Sequence, residues 1–314
     1  DHTELLVRPQ PKGMLDWVVS RYDEPFADSS ALPTRLICEA AHQHVTVALT
    51  GDGGDEAFGG YDRYRAMHLS QTMSPLEYLV VKVASGVSRP FAPLDERSRL
   101  RRLIRLAEGL SFPPAMQYFR YRRLFGPDDL LRLLSEDFLV DIDVNAPAEW
   151  FCELYGDGEF DDEAVNAQRC DLLTYLPDDL LVKADIASMS VSLELRAPML
   201  DHRVVELGLK LPVEMKLNRR RGKLILREAF GELLPHEVFE RPKRGFGVPL
   251  GRWLREEMRA EMVETLTDPA LKALGIFREE ALVGLMNDHL SRRADHRHRL
   301  WALMVLARWL IGQS

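Results

Sequence analysis

The sequence predicts a helix-rich α/β fold. One short β-branched run, Val45-Thr46-Val47-Ala48-Leu49, is bounded by a turn-forming segment and predicts a buried strand. From Gly60 almost to the carboxyl end the pattern is helical, and no second strand stands out. With 314 residues, 46% of them hydrophobic, the chain is long enough to bury a substantial core.

Taken in order, residues 1–20 open polar, pass Pro9 and Pro11, and become amphipathic around Met14 to Val19. Pro33 to Ala41 predicts a helix, with Ser29 or Ser30 as its cap and Pro33 in its first turn. Residues 89–132 carry Arg97, Arg99, Arg101, Arg102 and Arg105 among leucines. That pattern fits the solvated face of amphipathic helices better than an anionic partner site. Residues 141–165, with Asn145, Pro147, Gly156, Asp157, Gly158 and the acids Asp161 to Glu163, predict a loop region between helical blocks. Trp301 to Ile311 predicts a buried terminal helix, short of the roughly 18 apolar residues a membrane span needs and interrupted by Arg308.

The 49 acidic residues outweigh the 41 basic ones, for a net charge of -8. That balance argues against a general nucleic-acid or membrane partner, while leaving room for a local basic patch that grips phosphate. Cys38, Cys152 and Cys170 are widely spaced and odd in number. They form neither a disulfide framework nor a zinc pattern, so a reducing cytoplasm is the simplest home. The first residue is Asp1, which predicts that the chain belongs to something longer.

The most informative segment follows the strand: Thr50-Gly51-Asp52-Gly53-Gly54-Asp55-Glu56-Ala57-Phe58-Gly59-Gly60. Glycines let a backbone approach a ligand closely and turn N–H groups toward an anion. In α/β proteins ligands sit at the carboxyl ends of strands, where this loop falls. Its acids Asp52, Asp55 and Glu56 would repel a bare phosphate, a conflict that Mg²⁺ resolves by taking a carboxylate together with phosphate oxygens. The loop therefore suggests a Mg²⁺-nucleotide site. It has no lysine at the Walker position, Glu56 occupies the third glycine of the dinucleotide fingerprint, and a plain surface turn is the competing reading.

A second constellation runs from Leu176 to Arg203. Asp178, Asp185, Glu194, Arg196 and Arg203 recur there among apolar residues, which calls either for pairing, as of Asp185 with Lys183 or Glu194 with Arg196, or for a cleft. In Arg219-Arg220-Arg221-Gly222-Lys223 a basic turn enters a helix, a placement favoured when an anion sits there. Arg241 to Pro249 is a rigid basic loop that could close over a substrate. His289, His296 and His298 do not share a helical face, which argues against zinc.

Together these segments resemble the synthetase domain of glutamine-dependent asparagine synthetases. The matching residues are Asp23 to Ser30, Thr50 to Tyr61, Leu176 to Asp201, Gly222-Lys223, Arg241 to Pro249, and His296 to Trp301 with the apolar helix after it. The resemblance covers most of the chain from residue 21 onward. It implies an adenine nucleotide alpha hydrolase-like (ATP pyrophosphatase) fold with a parallel sheet and a large helical region. Residues 1–65 would end the nucleotide-binding core, 66–170 form a helical insertion, and 171–314 complete the active site.

The implied reaction is adenylation of the aspartate side chain by ATP to β-aspartyl-AMP, followed by transfer of ammonia from glutamine to give asparagine, AMP and pyrophosphate. By position, Thr50, Gly51, Gly53 and Gly54 would contact ATP, and Asp52 would serve intermediate formation and proton removal. Asp55 would hold Mg²⁺-pyrophosphate, Lys223 would stabilise the phosphates, and Arg203 is a further phosphate candidate. Asp178, Asp185, Glu194 and Arg196 would shape the substrate cleft. A homodimer is compatible with the resemblance.

The family's Ser-Gly-Gly-x-Asp-Ser pyrophosphate loop and its glutaminase domain are expected before Asp1, so little or no activity is expected of this chain alone. Thr50 stands for a usual serine, Met199 for a frequent phenylalanine, and Ile186 for a common basic residue. The last two leave open an amidotransferase acting on another carboxylate, in surface polysaccharide or secondary metabolism. A non-catalytic nucleotide-binding domain is the third reading.

Overall fold

The computed structural model describes residues 2–91, 98–156, 160–235, 237–238 and 247–313. Two strands, β1 (Val47–Leu49) and β2 (Glu194–Arg196), pair in parallel with Ala48 opposite Leu195. Flanking bonds extend the ladder: Glu194 N donates to Thr46 O at 3.0 Å and Thr50 N donates to Arg196 O at 2.8 Å. A parallel pair requires a crossover, and residues 50–193 supply it. The pair ends where the glycine-rich loop begins, so the ladder fixes the direction in which that loop leaves.

Two sequence expectations change here. The strand is not buried: Val45, Val47 and Leu49 are 45%, 38% and 74% exposed. Among the described residues β1 has one partner strand, β2, and only Ala48 and Leu195 lie on the half-buried face. The second strand escapes sequence reading because Glu194 and Arg196 bracket a single leucine, leaving no apolar run. Residues 141–165 are not simply a loop either, because Ala146–Tyr155 is a helix that buries Ala148, Phe151 and Tyr155. Pro147 and Gly156 mark its two ends: proline fits a first turn, and glycine adopts the positive φ of 75° at the cap. Asp157 and Gly158 lie outside the described residues.

Elsewhere the helices fall near their expected places. Met14–Arg21 packs against Arg297–Gln313, burying Met14, Leu15 and Val18 with Trp253, Trp301 and Met304. The predicted helix at Pro33 starts slightly earlier, as Ala31–His42. Asp28 prepares its start by accepting from Ser30 N at 2.9 Å and Ser30 Oγ at 2.7 Å. Among the described residues no helix is long and apolar enough to cross a membrane.

A second core gathers Tyr64, Met67, Tyr118, Phe151, Tyr155 and Val165. At its centre lies Asp171, fully buried on the helix Glu163–Leu173. Its carboxylate accepts from Tyr64 Oη and Tyr118 Oη at 2.6 Å each and from Arg63 Nη2 at 2.6 Å, and Arg122 donates to its other oxygen. A buried charge persists only when paired and hydrogen-bonded, and this one has two guanidiniums and two phenols. Replacing Asp171 with alanine leaves Arg63 and Arg122 facing each other without an anion. The expected cost is roughly 3–5 kcal/mol of stability, measurable as a lower urea midpoint; an unchanged midpoint would contradict the role given to this carboxylate.

Candidate active site

The glycine loop turns back over the ends of both strands. Gly53 has φ of 86°, a conformation that favours glycine, and a Cβ there would fall 2.2 Å from Leu200 Cδ2, which would have to move. A four-residue helix, Gly54–Ala57, follows and sets the acids on different sides. Asp55 is partly exposed. Glu56 is not: it is 1% exposed and its carboxylate accepts from Tyr61 Oη at 2.6 Å, while Gln168 Nε2 donates to its backbone oxygen at 2.6 Å. Burial pushes the Glu56 carboxyl above its usual range, against the lowering bond from Tyr61. Glu56 therefore belongs to the core and not to the phosphate-facing acids, because successive helical residues point about 100° apart.

Lys223 meets Asp55 from the other half of the chain. Its backbone is left-handed, with φ of 56°, at the cap of the helix Leu224–Phe230, and its N–H donates to Phe58 O at 3.2 Å. Its Nζ lies 2.9 Å from Asp55 Oδ1, both side chains being partly exposed. A Cβ at Gly60 would fall 1.8 Å from Asp55 Oδ1 and 2.6 Å from Lys223 Cε, so a side chain there would displace the pair from this arrangement. A non-glycine residue held in this conformation stores strain, and such residues gather at functional sites.

Beside the loop lies a cleft of about 610 Å³ lined by Thr50, Asp52, Ala184, Asp185, Arg196 and Asp201, among others. The Thr50 hydroxyl oxygen is buried without a hydrogen-bond partner. The structure thus brings Thr50, Asp52, Asp185 and Arg196 to one cleft. Glu194 is at its margin, paired with Arg196 at 2.7 Å. Arg203 is exposed and gripped by Asp201 at 2.8 Å and 2.9 Å on the rim. Lys183 does not pair with Asp185 but with Asp28 at 2.8 Å, since residues two apart on a helix face different ways. Arg241 to Phe246 of the expected basic loop lie outside the described residues.

Asp178 lines a different cleft, of about 480 Å³, with Glu24, Asp28, Arg122, Tyr175 and Asp179. Sequence reading singled out Asp178 and left Asp28, Asp179 and Lys183 unassigned, although all three sit in the quoted segments. Only the fold places residue 28 beside residue 183. Burial and the neighbouring Asp28 push Asp179 up to about 6, against the opposing pull of Lys183 and Arg122. Asp28 goes the other way: burial raises it, but Lys183 and Ser30 hold it below the usual carboxylate range.

A model of the asparagine synthase family matches residues 1–311. The chain belongs to the asparagine synthase family. It is 30% identical to asparagine synthetase [glutamine-hydrolyzing] 1 of Bacillus subtilis over 293 residues, covering 93% of this chain and 44% of that protein. It is 32% identical over 295 residues to a Mycobacterium tuberculosis protein provisionally named a glutamine-hydrolysing asparagine synthetase, covering 93% of this chain and 43% of that one. A more distant likeness, 24% over 306 residues, is to the amidase chry2 of Gibberella zeae. The chain therefore spans less than half the length of these relatives.

Within this asparagine synthase family chain, the residues present fit a Mg²⁺-nucleotide in one respect. Asp55 is a single, partly exposed carboxylate next to a lysine, and one carboxylate suffices for a hard cation that completes its shell with phosphate oxygens. Among the described residues there is no group of three or more potential metal-ligating side chains.

Asp179 gives a pH-dependent prediction. Folded, it keeps its proton up to about pH 6, whereas its ordinary value is 3.8, so the folded chain bears a cost above pH 6 that fades as the pH falls toward 4. Asp179→Asn should stabilise the chain by roughly 1–3 kcal/mol at pH 7.5 and by much less near pH 4.5. Urea denaturation at the two pH values checks this, and an equal effect at both would contradict it.

Proposed function

We propose that this chain is the synthetase part of an ATP-dependent amide ligase that converts aspartate to asparagine through β-aspartyl-AMP, with ammonia supplied by glutamine hydrolysis. The observation that carries this reading is the meeting of Asp55 and Lys223 over Gly60, in the loop that leaves the carboxyl end of a parallel strand pair at Thr50. A nucleotide polyphosphate needs such a combination of backbone approach, one metal-binding carboxylate and one mobile cation.

In this reading the loop from Thr50 to Gly54 lies along the nucleotide, and the Thr50 hydroxyl bonds to it. The acceptor carboxylate oxygen attacks the α-phosphorus as the bond to the β-phosphate oxygen breaks, and pyrophosphate leaves. Lys223, now paired with Asp55, turns to the phosphates and stabilises charge on the departing group. Mg²⁺, when bound, offsets phosphate charge, with Asp55 as its protein ligand. Ammonia then attacks the acyl carbon, AMP leaves, and Asp52, which lines the cleft, accepts a proton from the attacking nitrogen. Asp185 and Arg196 line the same cleft and shape the acceptor site.

Two variants in the protein at its natural length test the assignment. Asp55→Ala should lose at least about tenfold in Mg²⁺-dependent ATP binding. Lys223→Ala should hold ATP within a few-fold but lose on the order of 10²–10³-fold in AMP formation. Unchanged Mg²⁺-ATP binding in Asp55→Ala would favour a non-catalytic domain that binds nucleotide by other means.

A further inference from the structure

Lys216 is fully buried, and its amine has no hydrogen-bond partner. Burial pushes the amine down to about 8, while the charge of Asp162 favours its protonated form. An ammonium in a protein interior is unfavourable, and a methionine would fill the same space without that penalty. Packing alone therefore does not account for the amine.

Its place in the chain does. Lys216 ends the short helix Val213–Lys216 and stands at the root of a hairpin in which Leu217 and Gly222 form an antiparallel bridge. The tip is a tight turn: Asn218 N donates to Arg221 O at 2.9 Å, and Asn218 Oδ1 accepts from Arg220 N and Arg221 N at 2.8 Å each. The hairpin lies against the end of the glycine loop. A Cβ at Gly59 would fall 3.0 Å from Leu217 Cδ2 and 3.5 Å from Lys216 Cβ, and one at Gly222 would fall 2.2 Å from Gly59 O. Lys223 is the next residue, so the seat of the hairpin decides where its amine stands relative to Asp55.

Asp162 belongs to the frame that holds the loop. One of its carboxylate oxygens accepts from Ala164 N at 2.8 Å, at the start of the helix Glu163–Leu173, and the other lies 2.7 Å from His68 Nδ1 on the helix Asp62–Thr72. The helix Asp62–Thr72 follows the glycine loop, and the helix Glu163–Leu173 carries Gln168, which donates to Glu56 O within it. In a low-dielectric interior a charge acts beyond hydrogen-bond reach. The attraction between Lys216 and Asp162 thus ties the root of the hairpin to the same two helices that fix the loop.

We propose that Lys216 is a positioning residue: its buried charge, drawn to Asp162, seats the hairpin so that Lys223 meets the glycine loop at Asp55. Lys216 touches no substrate and acts on the reaction through Lys223. The inference rests on the ligase reading, in which Lys223 stabilises the phosphates.

The test uses the protein at its natural length with ATP, Mg²⁺, aspartate and ammonia. Lys216→Met fills the same space and leaves Asp162 its bonds with His68 and Ala164 N. It should lower kcat for AMP formation about tenfold or more, with KM for ATP within a few-fold. In a Lys223→Ala background the same substitution should change AMP formation by less than about twofold, because the effect runs through Lys223. Trypsin cleavage within the exposed turn Arg219–Arg221, mapped by mass spectrometry, should become about fivefold faster or more at an unchanged urea midpoint. Where Lys216→Met lowers that midpoint, the charge-free pair Lys216→Met/Asp162→Asn is read in its place, with the same expectations. An unchanged kcat, an unchanged cleavage rate, or a loss that persists at full size without Lys223 overturns the proposal, as does failure of both variants to fold. Absence of AMP formation by the unsubstituted protein contradicts the ligase reading instead, and the cleavage rate then decides whether Lys216 seats the hairpin.

Discussion

Asp171 is the constraint on which the site's architecture depends. Its carboxylate joins three helices: Asp62–Thr72, which follows the glycine loop, Pro114–Arg122, and its own helix Glu163–Leu173. The same last helix carries Gln168, whose amide holds the backbone of Glu56. Through Arg63, Tyr64 and Gln168 the loop's far end is therefore fixed from the core, while its near end is fixed by the β1–β2 ladder. The loop is clamped at both ends, so its conformation is set by the fold before any ligand arrives.

Charge is distributed between the two cores in opposite ways. In the second core Asp171 is compensated by two guanidiniums and two phenols. Around the clefts it is only partly compensated: Lys223 neutralises Asp55 at the surface of the loop, and Lys183 neutralises Asp28 while Asp179 beside it stays poorly matched. Incomplete compensation makes these groups responsive to a charged ligand, whereas Asp171 has no capacity left. The lysine of the site reaches the loop from residue 223, beyond β2, so loop and lysine meet only through the tertiary fold.

Much of the candidate site was legible because it is local. The glycine loop declares itself through residues 50–60, and Gly222-Lys223 announces a cation at a helix start. The likeness to a known family followed from several such segments in order. The pairings were not legible, because they join distant residues: Lys183 with Asp28, Lys223 with Asp55, and Arg63 and Arg122 with Asp171. Glu56 misled because its spacing from Asp52 and Asp55 looks functional until the short helix turns it inward. Strand β2 gave no signal, since a three-residue strand of alternating charge has neither length nor apolar content. Lys216 is a similar case: nothing in its neighbours announces a fully buried lysine whose amine has no hydrogen-bond partner and is pushed down to about 8 by burial.

The most direct test of the account is the fate of a carboxylate oxygen. The protein at its natural length would be given ATP, Mg²⁺, glutamine and aspartate labelled with ¹⁸O in its side-chain carboxylate, and the products read by mass spectrometry. The account predicts AMP carrying one labelled oxygen, with the other retained in asparagine, because the acceptor oxygen bonds to the α-phosphorus before ammonia displaces AMP. Label in inorganic phosphate with ADP as co-product, or AMP without label, would contradict it.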